Sequence, residues 1–319
     1  MKIIPFVTTT LCLLSYFPNL AAACDSCAIY IAAEALGEST NGWFTSAATQ
    51  YTDFGTTQLD GHEVSNEANQ HLTSSITQAI VGYNFTPRFS AQLNLPFIHR
   101  SYERPEGFNN DQGSETGIGD ASFIGRFLIT RQDQPDTTLI WNLLAGVKLP
   151  TGSSARLQEE FAEVEVPGAP KSGIHGHDLA LGSGSFDGLI GTSAYFRYRH
   201  AFITAAVQYA IRSQGDYDYR YANALSWESG IGGYLILTEQ HTLTLQAMVT
   251  GDYKTKDNFQ GNAAVDTASN AIYLGPKLVG TWGKHGSAEL GVELPVKLQN
   301  SDFQTVPDVR VRGGITWRF

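Results

Sequence analysis

Three groupings of residues in this sequence have the types and spacing to do chemistry. Cys24-Asp25-Ser26-Cys27 brings two thiols together, and His175-Gly176-His177-Asp178 sets two imidazoles and a carboxylate within four positions. Lys, Arg, Asp and Glu also recur at alternate positions in otherwise apolar stretches. A C-x-x-C pair attaches haem only when His follows, and residue 28 is Ala. One such pair without a second is a weak zinc motif. The readings left for Cys24 and Cys27 are a disulfide in an oxidising compartment, a redox or metal role, or lipidation of Cys24, where an Ala stands in place of the usual preceding Leu. Structural zinc takes four ligands, and no other loop offers an obvious partner to His175 and His177, so a solvated loop is expected and no metal is assigned. No G-x-S-x-G, Walker or dinucleotide loop occurs in a strand-to-helix context, so no cofactor is assigned.

The elements that must hold these groups follow from composition. The 319 residues are 42% hydrophobic and 16% charged, with 32 Gly, 17 Phe and 14 Tyr against 2 Met, and the apolar residues are scattered singly among Thr, Ser, Gln and Gly. Helix-rich cytosolic enzymes rarely look like this. With 21 basic against 31 acidic side chains, the net charge of −10 argues against a nucleic-acid partner. Met1-Lys2, the apolar run Ile3 to Leu20 and Ala21-Ala22-Ala23 read as a secretory signal peptide over 1–23. Beyond it no run of about 18 apolar residues exists, which excludes helical membrane spans but not a membrane barrel.

After residue 40 a period of two repeats many times. Val309, Val311, Ile315, Trp317 and Phe319 fall on one face, with Arg310, Arg312, Thr316 and Arg318 on the other; Leu290, Val292 and Leu294 likewise oppose Glu289 and Glu293. Alternation between turn signals predicts strands near 43–54, 72–85, 88–101, 117–131, 137–150, 184–199, 201–213, 221–238, 241–253, 270–282, 286–297 and 308–319. Most exceed the roughly 5 or 6 residues of globular strands and suffice for a tilted membrane crossing of about 9–11. Short connections (86–87, 132–136, around His200, 239–240, 283–285) alternate with mostly long polar ones (55–71, 102–116, 151–183, 214–220, 254–269, 298–307). That is the pattern of an outer-membrane barrel with short periplasmic turns and long external loops, and it places both termini in the periplasm. Trp43, Phe85, Phe89, Phe196, Tyr198, Phe202, Trp282, Trp317 and Phe319 are expected to form an aromatic girdle at the short-turn end. The expected fold is thus all-β: a closed antiparallel transmembrane β-barrel of about 12 strands over 41–319. It is preceded by a periplasmic segment, 24–40, whose Ala28 to Leu36 favours a short helix ended by Gly37. That segment could sit under the mouth, plug it, or bind a periplasmic partner.

Gly117-Ile118-Gly119-Asp120, Gly146-Val147-Lys148-Leu149-Pro150-Thr151-Gly152 and Leu181-Gly182-Ser183-Gly184-Ser185-Phe186-Asp187 resemble the outer-membrane family named for the meta-pathway of phenol degradation. The resemblance covers roughly 117–187 and implies a transporter barrel for small, often aromatic or apolar, solutes. Trp317-Arg318-Phe319 resembles the C-terminal signal that barrel-assembly machinery reads. His285-Gly286-Ser287 resembles the H-x-S triplet of outer-membrane phospholipase, also a twelve-stranded barrel. It falls in an expected periplasmic turn, however, and turn chemistry is the reading preferred.

Parity assigns Asp120, Arg126, Lys148, Asp187, Arg197, Arg199, Glu228, Lys277, Glu289, Glu293, Lys297, Arg310 and Arg312 to the lumen. There they either pair to stiffen a crowded interior or tune a pore. The function expected is passage of small molecules across the outer membrane without catalysis. An outer-membrane enzyme acting on lipid or polysaccharide, or a scaffold docking a periplasmic partner through 24–40, are the alternatives.

Overall fold

In β2 (His71–Thr86), Leu72, Ser74, Ile76, Gln78 and Ile80 are buried while residues between them face out, so successive side chains obey the two-residue period along the strand. The same holds around a computed structural model that describes residues 42–162 and 166–319. Its remaining wall strands are β1 (Gly42–Leu59), β3 (Phe89–Glu106), β4 in two segments (Asn109–Ile118 and Ser122–Asp133), β5 (Thr137–Lys148) and β6 (Asp187–Tyr198). They continue through β7 (Ala201–Ile211), β8 (Ala224–Leu237), β9 (His241–Lys254), β10 (Ser269–Trp282), β11 (Gly286–Asn300) and β12 (Phe303–Arg318). Each pairs antiparallel with its sequence neighbours, and β12 returns to β1 from Phe44↔Arg318 to Leu59↔Phe303. Closure removes both sheet edges, which hydrocarbon could not hydrogen-bond. The twelve strands are the twelve expected. Cys24, Cys27 and the 24–40 segment lie outside the described residues.

Two connections expected to be long are instead strand. β3 runs to Glu106 and pairs with the first segment of β4 from Glu106↔Asn109 to Phe97↔Ile118, and β11 reaches β12 through Ser301 and Asp302 alone. Gly107 (φ +60°) and Asp302 (φ +56°) supply the left-handed residues of these tight turns. Beyond the apolar belt both faces of a strand can be polar, so alternation fades while the hydrogen-bond ladder continues.

Val81, Leu93, Phe123, Leu143, Ile190, Val207, Ile231, Leu245, Leu278, Leu290 and Ile315 are exposed around the outside, an apolar belt suited to lipid. At the short-turn end Trp43, Phe85, Phe89, Phe196, Tyr198, Trp317 and Phe319 are exposed as expected, and Trp43, Tyr83, Phe85 and Phe89 contact one another in series. Phe202 departs from the expectation. It shares the inward parity of Ala206 and Gln208 and is buried between Tyr195 and Tyr234.

The opposite mouth is filled by the connection between β5 and β6. It carries a 3-10 helix (Ala155–Phe161) and one short helical turn, α1 (Gly176–Leu179). Ile174 and Leu179 pack on Phe54, Leu72 and Tyr102 of the wall, and Leu181 packs on Ile76 and Ile98. Leu157 and Ala180 pack with Tyr221 and with Tyr219, which belongs to a small sheet of Tyr219–Arg220, Asn258–Phe259 and Asn262–Ala263. The loop therefore has a core of its own inside the barrel mouth.

Candidate functional site

The three glycine-rich segments singled out in the sequence meet at one place. β4 begins its second segment just after Asp120, β5 ends at Lys148, and β6 begins at Asp187, so three neighbouring strands deliver these charges to the same height. Lys148 Nζ bonds Asp120 and Ser183 and lies 2.9 Å from Asp187 Oδ2, which Arg212 Nη1 approaches at 2.7 Å. Asp120 also accepts from the Gly152 and Ser183 amides at 3.0 and 2.9 Å. Thr151 Oγ1 donates to the Gly119 carbonyl at 2.9 Å and accepts from the Ala121 amide at 2.7 Å. A Cβ at Gly182 would stand 2.6 Å from both Asp120 Oδ1 and the Gly152 carbonyl oxygen, so the close approach of these backbones needs glycine. The result is a charge-paired knot that ties the start and end of the long loop to the wall.

Arg100 secures the same loop from β3. It is fully buried and donates to the Asp178 carbonyl and, at 2.8 Å, to that of Ala180. Arg100 and Arg212 were missed in the sequence, and Ser183 and Ser185 stood in a glycine-rich motif without a role. Arg100 carried a readable signal, an arginine on the inward parity of Asn94 and Ile98.

The second group of lumen charges forms a stripe nearer the middle of the wall. Arg310 Nη1 lies 3.1 Å from Asp252 and 3.8 Å from Glu293, and its guanidinium sits 4.1 Å over the Tyr273 ring. Arg312 Nη1 lies 3.4 Å from Glu293 and 3.7 Å from Glu228, and its Nε donates to Gln50 at 3.0 Å. Lys277 and Glu289 face each other at 3.8 Å. Glu228 stands on β8 and Arg312 on β12, so that contact crosses the lumen and narrows it. Arg126 donates to Ser90 at 3.1 Å, and Arg197 donates to Thr138 Oγ1 and the Arg199 carbonyl at 3.0 Å. Two assignments are corrected. Arg199 has a left-handed backbone (φ +54°) and an exposed side chain 3.7 Å from Asp136, so it belongs to the turn. Lys297 is exposed beside a bulge at which Ile272 pairs Lys297 but Tyr273 pairs Pro295.

Below the stripe and the knot lies a cavity of about 220 Å³. Phe44, Ile80, Ile124, Leu144, Tyr195 and Phe202 give it apolar surface, while Arg126, Gln246, Lys277, Glu228 and Glu289 supply polar points. Arg88 and Arg318, beside the short turns, also line it, placing it toward that end. A smaller cavity of about 50 Å³ lies under the loop, between Leu181 and Ile76.

The H-x-H-D run is not solvated, contrary to expectation. His175 and His177 are buried with rings stacked 5.5 Å apart, because the loop around them folds into the mouth. The partner that no loop seemed to offer is Asp266, from the connection between β9 and β10, whose Oδ2 lies 3.1 Å from His175 Nδ1. His177 Nδ1 lies 3.0 Å from Glu160 Oε1. Burial alone would favour a neutral His177, but the Asp178 and Glu160 carboxylates outweigh it and hold the imidazole well above its ordinary range. Burial likewise opposes ionisation of Glu160, yet the adjacent His177 draws its carboxyl down to about 2. His285, by contrast, is exposed in a short turn, with Nδ1 2.8 Å from the Arg318 carbonyl and its ring stacked on Trp317.

No family model matches the chain, and no curated protein sequence matches it. Among solved structures it is similar to an outer membrane channel from Pseudomonas putida F1, with a TM-score of 0.57 and 14% identity over 88% of this chain and 96% of that one. A looser likeness, TM-score 0.45 and 10% identity over 88% and 100% of the two chains, is to the beta domain of a Bordetella autotransporter. The twelve closed antiparallel strands and the likeness to the Pseudomonas channel together establish the fold as that of an outer-membrane β-barrel.

Proposed function

We propose that this chain is an outer-membrane channel or uptake transporter for small apolar or aromatic solutes, with both ends of the barrel chain on the periplasmic side. We further propose that it belongs to the family named for the meta-pathway of phenol degradation, whose motifs coincide with the knot at Asp120, Lys148 and Asp187. The observation that carries the transport reading is the cavity of about 220 Å³ inside a closed wall, mostly apolar with a few polar points, beneath a loop pinned across the other mouth. Such a lining suits small solutes with apolar bodies, which gain from leaving water and are oriented by the charged points. Hydrated ions meet the paired charges of the stripe and pass poorly. Phe319, exposed at the end of the last strand, is the residue the assembly machinery would grip.

The test is uptake into liposomes carrying the purified protein. A small aromatic solute should enter faster than a sugar of similar mass, and substituting Ile124 and Leu144 with Asn should abolish that preference. Equal entry of both solutes, or entry no faster than into empty liposomes, contradicts the proposal.

A further inference from the structure

We propose that the external mouth holds a zinc-class divalent cation, bound by His175, His177 and Asp266, which staples the loop between β5 and β6 to the loop between β9 and β10. One ligand atom from each of these three side chains lies within 4.8 Å of the others, and both imidazoles are buried. Two imidazole nitrogens with a carboxylate oxygen favour zinc and its first-row neighbours over the all-oxygen shells of calcium or magnesium.

The surroundings orient the ligands as metal sites do. Glu160 engages Nδ1 of His177 at 3.0 Å, which leaves Nε2 as the ligand atom, where a bound cation takes the place of the proton; carboxylate–histidine–metal triads share this arrangement. Asp178 accepts the His175 amide at 2.9 Å through Oδ2, and its Oδ1 lies 3.5 Å from His177 Nε2, where it can complete a fourth position or hold a water in it. Gly176 permits the tight H-x-H turn, since a Cβ there would stand 2.3 Å from the Arg156 carbonyl oxygen. Metal–ligand bonds of about 2.0–2.1 Å put tetrahedral ligand atoms about 3.3 Å apart. His175 Nδ1 and the Oδ2 of Asp266, which is partly exposed and comes from the opposite loop, already stand near that spacing at 3.1 Å. Binding therefore ties together two segments that are otherwise joined through packing on Tyr219, Tyr221 and Phe259. This inference does not depend on what the barrel conducts.

Cobalt(II) and zinc(II) are the probes, used on the full folded chain in detergent, with heat-modifiable gel mobility as the check on folding. Cobalt should bind one equivalent and give the visible absorption of a tetrahedral nitrogen and oxygen site, which zinc then bleaches. Asp266→Ala and His175→Gln should each weaken binding at least tenfold, and Glu160→Gln, by loosening His177, about tenfold or more. Asp266→Ala is the safeguard against misfolding, because its side chain lies at the rim. Failure of folded wild-type protein to bind either metal at micromolar concentration overturns the proposal. So does a thiolate charge-transfer band, which would place the metal on the cysteines, or undiminished binding by folded Asp266→Ala and His175→Gln.

Discussion

Lys148 is buried among Asp120, Asp187, Ser183 and Ser185, so its removal takes a buried cation from Asp120 and leaves Asp187 to Arg212. Lys148→Met should destabilise the barrel by about 3–5 kcal/mol, as breaking a buried ion pair does. Because the knot also pins the loop, the same variant should raise single-channel conductance in a planar bilayer. Arg310→Met removes the cation between Asp252 and Glu293 and carries a similar expected loss of stability. Asp252, Glu293 and Tyr273 around it all stand on wall strands, so this variant should not raise conductance as Lys148→Met does. Equal gating in the two variants would deny the knot its role as the latch. Both are read by denaturant unfolding in detergent and by planar-bilayer recording. Parity in the sequence was enough to place Lys148, Arg310 and Arg312 inside. It was not enough to sort them into latch and stripe, because a period of two says which face a residue takes and nothing about its height or its partner across the lumen. Ser183 and Ser185 sit in a segment without periodicity, and only the folded loop brings them to Lys148.

At the scale of the strand, alternation and hydrocarbon contact must coincide. Leu290 is exposed on the belt while its neighbour Gly291 is buried and opposite Arg312. Leu290→Arg should lower stability by about 2–4 kcal/mol if it meets the bilayer midplane. Gly291→Arg should instead crowd the stripe with a further cation beside Lys277 and Arg312, shifting ion selectivity toward anions with a smaller effect on unfolding in lipid. A comparable loss at both positions would reverse the assignment of faces. The strands were legible because lipid demands an unbroken apolar face. The hairpins around Phe108 and Ser301 were not, because beyond the belt the backbone ladder alone sustains a strand. The loop core was hidden for a related reason: Leu157, Ile174, Leu179 and Leu181 follow no regular spacing and are buried only by meeting the wall.

The whole molecule has two unlike ends, and trypsin can tell them apart. Lys256 is exposed at the long-loop end and Lys284 at the short-turn end. Intact cells should be cut at Lys256 and spared at Lys284, with cleavage at Lys284 appearing after the periplasm is opened; the reverse order would invert the orientation. To a protease of broad specificity, the loop between β5 and β6, which its length alone suggests as an easy target, should resist between Ile174 and Leu181 because most of those residues are buried in the mouth. The closure of the wall, finally, has a kinetic consequence. Phe44 pairs with Arg318 and Leu59 with Phe303, so the seam joins residues up to roughly 270 apart. Bringing such ends together carries a loop-closure term of roughly 5 kcal/mol before any seam hydrogen bond forms. Every other wall pairing links strands consecutive in sequence. The open twelve-stranded sheet is therefore the state that waits, and its two unpaired edges invite other chains. Slow, concentration-sensitive refolding follows, and a covalent link between β1 and β12 should speed it.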